Sequence, residues 1–194
     1  MPRIAPLSPP YADDVGATLA RMTPPGVEPI ALFRLFGRNP PMAEAMTGWG
    51  SYELGRQLSL TRRDREIVID RTVARCGCEY EWGVHVAYFA TKVGFTAEQV
   101  TSLAHGRAAD PCWTDKRDRL LIEAADALHD SHDIDDALWD RLARTFDSAQ
   151  LIDLLLLAGW YHAISYAARA TRLSAEPGTP SLADVAPRPI SSAT

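Results

Sequence analysis

The chain has 194 residues, 46% of them hydrophobic and 23% charged, with 20 basic against 25 acidic side chains for a formal charge of −5. A chain of this size buries roughly 70% of the surface it exposes when unfolded, so one domain with arms folds without staples. These figures exclude disulfide scaffolds, collagens and disordered chains. The mildly acidic balance, with arginines scattered along the chain, argues against a nucleic-acid partner.

In chain order, residues 2–10 are rich in proline and poor in large apolar groups, and read as an arm. They contain no apolar h-region, so no secretory signal is expected and the default address is the cytoplasm. Helices are expected near 13–22, 29–37, 41–57, 62–75, 79–92, 97–105, 115–130, 135–145 and 149–172. Three of these starts carry capping pairs: Thr61 with Asp64, Thr96 with Gln99, and Asp147 with Gln150. Gly77 interrupts the chain after Arg75, and Gly94 stands where a chain leaves a helix with positive φ.

No alternating run of β-branched residues bounded by turns appears, so the fold class is all-α. Leu151 to Ala158 is apolar nearly all round, which points to the centre of a helical bundle or a subunit contact. The apolar stretch from Leu151 to Trp160 is shorter than the ~20 residues of a membrane helix, so no membrane span is expected. Residues 176–194 read as a tail. The expected organisation is therefore an arm and first helix over 1–28, a helical domain over 29–173 and a tail over 174–194.

The three cysteines, Cys76, Cys78 and Cys112, are odd in number and do not form a disulfide framework. Chemistry concentrates between Glu66 and Gly94. Cys78, Glu81 and His85 fall at i, i+3 and i+7, which places a thiol, a carboxylate and an imidazole on one helical face. Trp82, Val84, Val86, Tyr88 and Phe89 make the same helix apolar on most sides, so it is expected to be buried. Buried acids and imidazoles need partners or a task. A cysteine at the start of that helix is placed for a lowered pKa, the alternative being that it only fills space.

The spacing of Glu66, Cys78, Tyr80, Glu81 and His85, followed by an apolar run to Gly94 and the capped Thr96, resembles the carboxymuconolactone decarboxylase and alkylhydroperoxidase D superfamily. The resemblance covers about Leu58 to Gly106. It implies a helical bundle forming a homo-oligomer, a trimer or a hexamer, with active sites near subunit contacts. In the hydroperoxidase branch the pattern is a glutamate, a Cys-x-x-Cys pair and a histidine. Here Glu66, Cys78 and His85 match, but Glu81 stands at the second cysteine, and a dithiol peroxidase needs a resolving thiol.

Decarboxylase-like members, as the resemblance implies, use no metal or organic cofactor and work by acid and base side chains on a small molecule. On that reading His85, oriented by Glu66, exchanges a proton with substrate carbon, Glu81 is the second acid/base group and Tyr80 binds the developing oxyanion. Arg62 or Arg71 is a candidate for holding a substrate carboxylate, and Trp82, Tyr161 and His162 are candidates for lining the pocket. The alternative is thiol-dependent reduction of hydroperoxides through Cys78. A metal held by Glu66, Glu81 and His85 is a third reading, against which no second histidine lies at ligand spacing in the segment.

Overall fold

A computed structural model describes residues 1–185; the last nine residues of the expected tail lie outside the described residues. The helices are α1 (Asp13–Met22), α2 (Ala31–Phe36), α3 (Pro40–Glu53), α4 (Arg62–Arg75), α5 (Glu79–Phe89), α6 (Ala97–His105), α7 (Lys116–Ser131), α8 (Asp136–Ala143) and α9 (Ser148–Ala170). Among the described residues there is no strand. The fold is all-α, as expected.

The local signals act where they stand in the chain. Thr61, Asp147 and Thr96 each close a reciprocal capping box at the starts of α4, α9 and α6. Gly77 (φ +62°) and Gly94 (φ +73°) turn the chain in the left-handed region, where a Cβ is costly. At Gly77 the turn brings α5 back against α4.

α4 is the centre of the bundle, packed by α5, α6, α7 and α9. Every residue from Asp64 to Val73 is buried. Ile67, Val68, Ile69 and Val73 join Trp82, Leu121, Leu154 and Leu157 in one core. Of the charged residues that α4 carries into this core, Asp64 pairs with Arg117, Arg65 with Glu66 and Arg71 with Asp126, and Asp70 has no hydrogen-bond partner. Without its partner, each of the paired ions would cost several kcal/mol on the order of a buried ion.

α9 is 23 residues, long and apolar enough by length and composition to cross a membrane, although half of its apolar window is buried inside the fold. Of the two placements expected for Leu151 to Ala158, the centre of the bundle or a subunit contact, the first holds for one face of the helix. Leu151, Leu154 and Leu157 are buried, but Ile152, Leu156 and Tyr166 face outward.

Both terminal segments fold back on the body. Arg3 N donates to Thr171 O at 2.7 Å and Leu7 N to Arg34 O at 3.1 Å. The first part of the tail straps α5: Tyr80 donates to Glu176 at 2.5 Å, and Leu182 N donates to Glu79 at 2.8 Å. A Cβ on Gly83 would sit 2.8 Å from Pro180 O, so this glycine lets the strap lie directly on the helix.

Candidate active site

Glu66 on α4 and His85 on α5 meet because α4 and α5 are packed side by side after the Gly77 turn. His85 Nδ1 lies 2.8 Å from Glu66 Oε2, and Arg65 Nη2 lies 2.6 Å from Glu66 Oε1. Tyr161, from α9, places its hydroxyl 3.0 Å from His85 Nε2. Glu81 Oε2, one turn before the histidine, is 3.6 Å from the same nitrogen. The result is a chain, Arg65–Glu66–His85–Tyr161, in which every member is buried.

The electrostatics follow from that geometry. Burial pushes the Glu66 carboxyl up, but the charges and hydrogen bonds of His85 and Arg65 outweigh it, so its pKa falls below the ordinary value. An ionised Glu66 accepts the His85 Nδ1 proton and leaves Nε2 as the working nitrogen. Burial pulls His85 down, while Glu66, Glu81 and Asp70 pull it up more strongly, and the net shift is upward. Burial raises both Glu81, against the opposing pull of His85, and Tyr161, whose phenol keeps its proton at neutral pH.

This chain ends in a cavity of about 510 Å³ between α2, α3, α5 and α9. Its walls are mainly apolar, among them Leu32, Phe33, Phe36, Val84, Phe89 and Ile164, while Glu81, His85 and Tyr161 supply polar groups. Glu81 Oε1 has no hydrogen-bond partner. A largely apolar cavity with a few convergent polar groups and shifted titrations is the usual form of a small-molecule site.

Several residues singled out in the sequence are elsewhere. Tyr80 turns away toward α2 and the strap, where its hydroxyl accepts from Leu32 N at 3.0 Å and donates to Glu176, so it is not at hand for an oxyanion beside His85. Tyr161 occupies that position instead. Arg71 is locked to Asp126 at 2.6 Å and to the Leu103 carbonyl at 3.0 Å, and Arg62 is exposed; neither lines the cavity. Trp82 is wholly buried core and also lies off the cavity wall. His162, next in sequence to Tyr161, faces a different cluster with Cys76 and His129.

Cys78 is the N-cap of α5, as its place before the helix implied, but its thiol is not activated. Burial pushes it up to about 11, with the Glu81 backbone N–H opposing and the Glu81 charge adding to the rise. The expectation of a lowered pKa fails because a helix terminus acts weakly on a group taken wholly out of water. Cys76, Cys78 and Cys112 are all free.

Three residues at this site were not assigned to it from the sequence. Arg65 holds Glu66, and the adjacency of an arginine and a glutamate at a helix start was the available signal. Asp70, one turn after Glu66, is wholly buried with neither oxygen partnered. Arg21, which pairs with Glu44, is the arginine that lines the cavity. Glu66, Asp70 and His85 offer ligand atoms within 4.8 Å of one another, but Glu66 already has an arginine on one oxygen and an imidazole on the other, which opposes a cation there.

Residues 40–126 match the model of the Carboxymuconolactone decarboxylase family. The fold is similar to the debrominase Bmp8 in complex with 2,3,4-tribromopyrrole, with a TM-score of 0.74 and 16% identity over 90% of this chain and 91% of that one. It is also similar to an uncharacterized peroxidase-related protein from Silicibacter sp. TM1040, with a TM-score of 0.75 and 17% identity over 90% and 93%. A protein of unknown function from Agrobacterium tumefaciens, described as a candidate antioxidant defence protein AhpD, matches at a TM-score of 0.65 and 16% identity over 73% and 94%. A search of curated proteins gives no match. Over residues 40–126 the chain is therefore similar to the carboxymuconolactone decarboxylase family, and its fold is that of the AhpD-like neighbours.

Proposed function

We propose that the protein is a decarboxylase-like enzyme that performs general acid/base chemistry on a small, largely apolar substrate bearing a carboxylate or lactone. The observation that carries this reading is the buried chain from Arg65 through Glu66 and His85 to Tyr161, opening on an apolar cavity. Glu66 keeps His85 protonated and oriented. As the bond from substrate carbon to its carboxylate breaks, carbon dioxide leaves and the electron pair stays on carbon. The His85 Nε2 proton then passes to that carbon, directly or through the Tyr161 oxygen. Glu66 stabilises the imidazolium beforehand, and solvent returns the proton afterwards. In its protonated form, which burial favours, Glu81 donates a hydrogen bond from its free oxygen to developing negative charge. Arg21 is the cation available to a substrate carboxylate. The pyrrole bound by the debrominase is likewise a small, flat, weakly polar molecule, which supports this size class.

A second reading, thiol-dependent reduction of hydroperoxides through Cys78, is favoured by the peroxidase-related and AhpD neighbours. Its geometry here is weaker, since Cys78 is wholly buried and does not line the cavity.

A panel of small carboxylated and lactone compounds, followed by carbon dioxide release and absorbance, tests the first reading; peroxide with a dithiol reductant tests the second. Under the acid/base reading Cys78→Ser spares most turnover of the carboxylated substrate. Loss of peroxide consumption in Cys78→Ser, with no lyase activity in the wild type, transfers the assignment to the thiol. We further infer a homo-oligomer, a trimer or a hexamer, supported by the exposed apolar residues Ile152, Leu156 and Tyr166 of α9. A cytoplasmic setting is supported by the three free thiols.

A further inference from the structure

We propose that Cys76, His129 and His162 form a binding site for a zinc-class divalent cation, separate from the acid/base site. Their ligand atoms come from three places: Cys76 from the C-cap of α4, His129 from α7 and His162 from α9. All three atoms lie within 4.8 Å of one another. Cys76 Sγ is 3.9 Å from His129 Nδ1, and that nitrogen is 3.2 Å from His162 Nε2. Around a tetrahedral zinc with ordinary bond lengths the sulfur-to-nitrogen and nitrogen-to-nitrogen distances are about 3.6 Å and about 3.3 Å. The triad is therefore near the required spacing before any metal arrives.

The hydrogen bonds point the same way. His162 Nδ1 is 2.8 Å from the Ala158 carbonyl and donates to it, which fixes the tautomer and leaves Nε2 with a lone pair. An imidazole oriented by a carbonyl on its far nitrogen is the common arrangement of a metal-bound histidine. His129 Nδ1 faces both that lone pair and the Cys76 sulfur. With protons alone, His129 Nδ1 serves the His162 lone pair at 3.2 Å, the Cys76 sulfur stays at 3.9 Å, and that thiol has Ser165 beside it. A cation satisfies all three.

The donor set, one thiolate and two imidazoles, selects a borderline-soft cation over magnesium or calcium. The triad borders a cavity of about 410 Å³, also lined by His132, so a water or that histidine has room to be the fourth ligand. Two arginines line the same cavity, but both are engaged. Arg75 pairs with Asp126 and Asp130, and Arg169 donates to the Cys76 carbonyl at 2.6 Å. On binding, the thiol proton goes to water, a sulfur–metal bond forms and no electron is transferred.

The test is a cobalt(II) titration of the full, untagged and reduced chain, watched for thiolate-to-cobalt charge transfer and for tetrahedral d–d absorption. One equivalent should give both. The charge-transfer band should vanish in Cys76→Ser and persist in Cys78→Ser, and zinc should displace cobalt while magnesium does not. His129→Gln and His162→Gln should each weaken cobalt binding by more than about 100-fold, the upper cost of losing even an outer partner. Should Cys76→Ser fail to fold, alkylation of the wild type decides instead, because bound zinc must slow modification of Cys76 as read by peptide mass. Absence of the band, its persistence in Cys76→Ser, or unslowed alkylation of Cys76 in zinc overturns the proposal.

Discussion

Two clusters built on the same pair of helices differ in almost every physical respect. Glu66 and Tyr161 contribute to the first, Cys76 and His162 to the second, so α4 and α9 each serve both. In the first, a histidine sits between an ionised glutamate and a tyrosine, fully buried, with its pKa raised. In the second, half-buried His129 has its pKa lowered first by burial and then by the Arg75 charge and His162, with Asp130 and Asp126 opposing. The contrast teaches that a histidine's chemistry is set by which carboxylates share its burial. On the two proposals, one imidazole serves as a proton donor and the other as a lone-pair donor.

Replacing the two histidines separates the clusters most sharply. His85→Ala should reduce turnover of the carboxylated substrate by roughly 10²- to 10⁴-fold, the usual contribution of a positioned acid or base. His162→Ala should leave that turnover near the wild-type rate, since its ring lies outside the catalytic cavity. Steady-state rates of both variants on one substrate decide the matter. Equal losses would mean that the two clusters are one site.

Stability gives the next largest difference. Glu66→Ala leaves Arg65 and a protonated His85 buried without their counter-charge, and breaking such a pair costs roughly 3–5 kcal/mol. Glu66→Gln keeps the shape and should cost less. Urea unfolding of both variants beside the wild type measures this, and an unaltered midpoint for Glu66→Ala would show that the carboxylate is not ionised in the folded protein.

Much of the fold was legible because its signals are local. Three capping boxes, two left-handed glycines and the helical spacing of apolar residues mark helix limits to within a few residues, since each depends on neighbours three or four positions away. Which helix lies at the centre was not legible. α4 is rich in charge, yet it is more deeply buried than the apolar α9, because Arg117 and Asp126 arrive from distant segments to pair its charges. The site divides along the same line. Glu66, Glu81 and His85 come together because they lie on two consecutive helices joined by one glycine turn. Tyr80 and His162 were misplaced by one step of about 100° around their helices, and helical phase cannot show which neighbour each face meets. Arg65 and Asp70 take their meaning from burial, which a spacing argument does not contain.

Asp70 gives the smallest effect and tests whether the two clusters share a supply of charge along α4. Burial raises its pKa well above the ordinary value, the Glu66 carboxylate adds to the rise and His85 opposes it. In the unfolded chain the group ionises near 3.8, while the folded protein keeps the proton to higher pH. Between those two values the unfolded state binds fewer protons than the folded one, so stability from this group declines as pH rises through that interval. Glu66 has the opposite sign: its folded pKa is depressed, so its contribution is present above the unfolded value and lost on acidification. His85, raised, contributes fully below 6.5 and loses its contribution as pH climbs through its folded pKa. Asp70→Asn removes only the first of these and keeps the shape of the side chain. It should therefore be more stable than the wild type at about pH 8, with the difference shrinking toward about pH 3, where the unfolded aspartic acid is itself mostly protonated. Urea midpoints across that range read the sign directly. A gain that does not diminish on acidification would mean that Asp70 is costly for its unpaired oxygens rather than for its charge, and would leave Glu66 as the single ionised carboxylate that distinguishes His85 from His129.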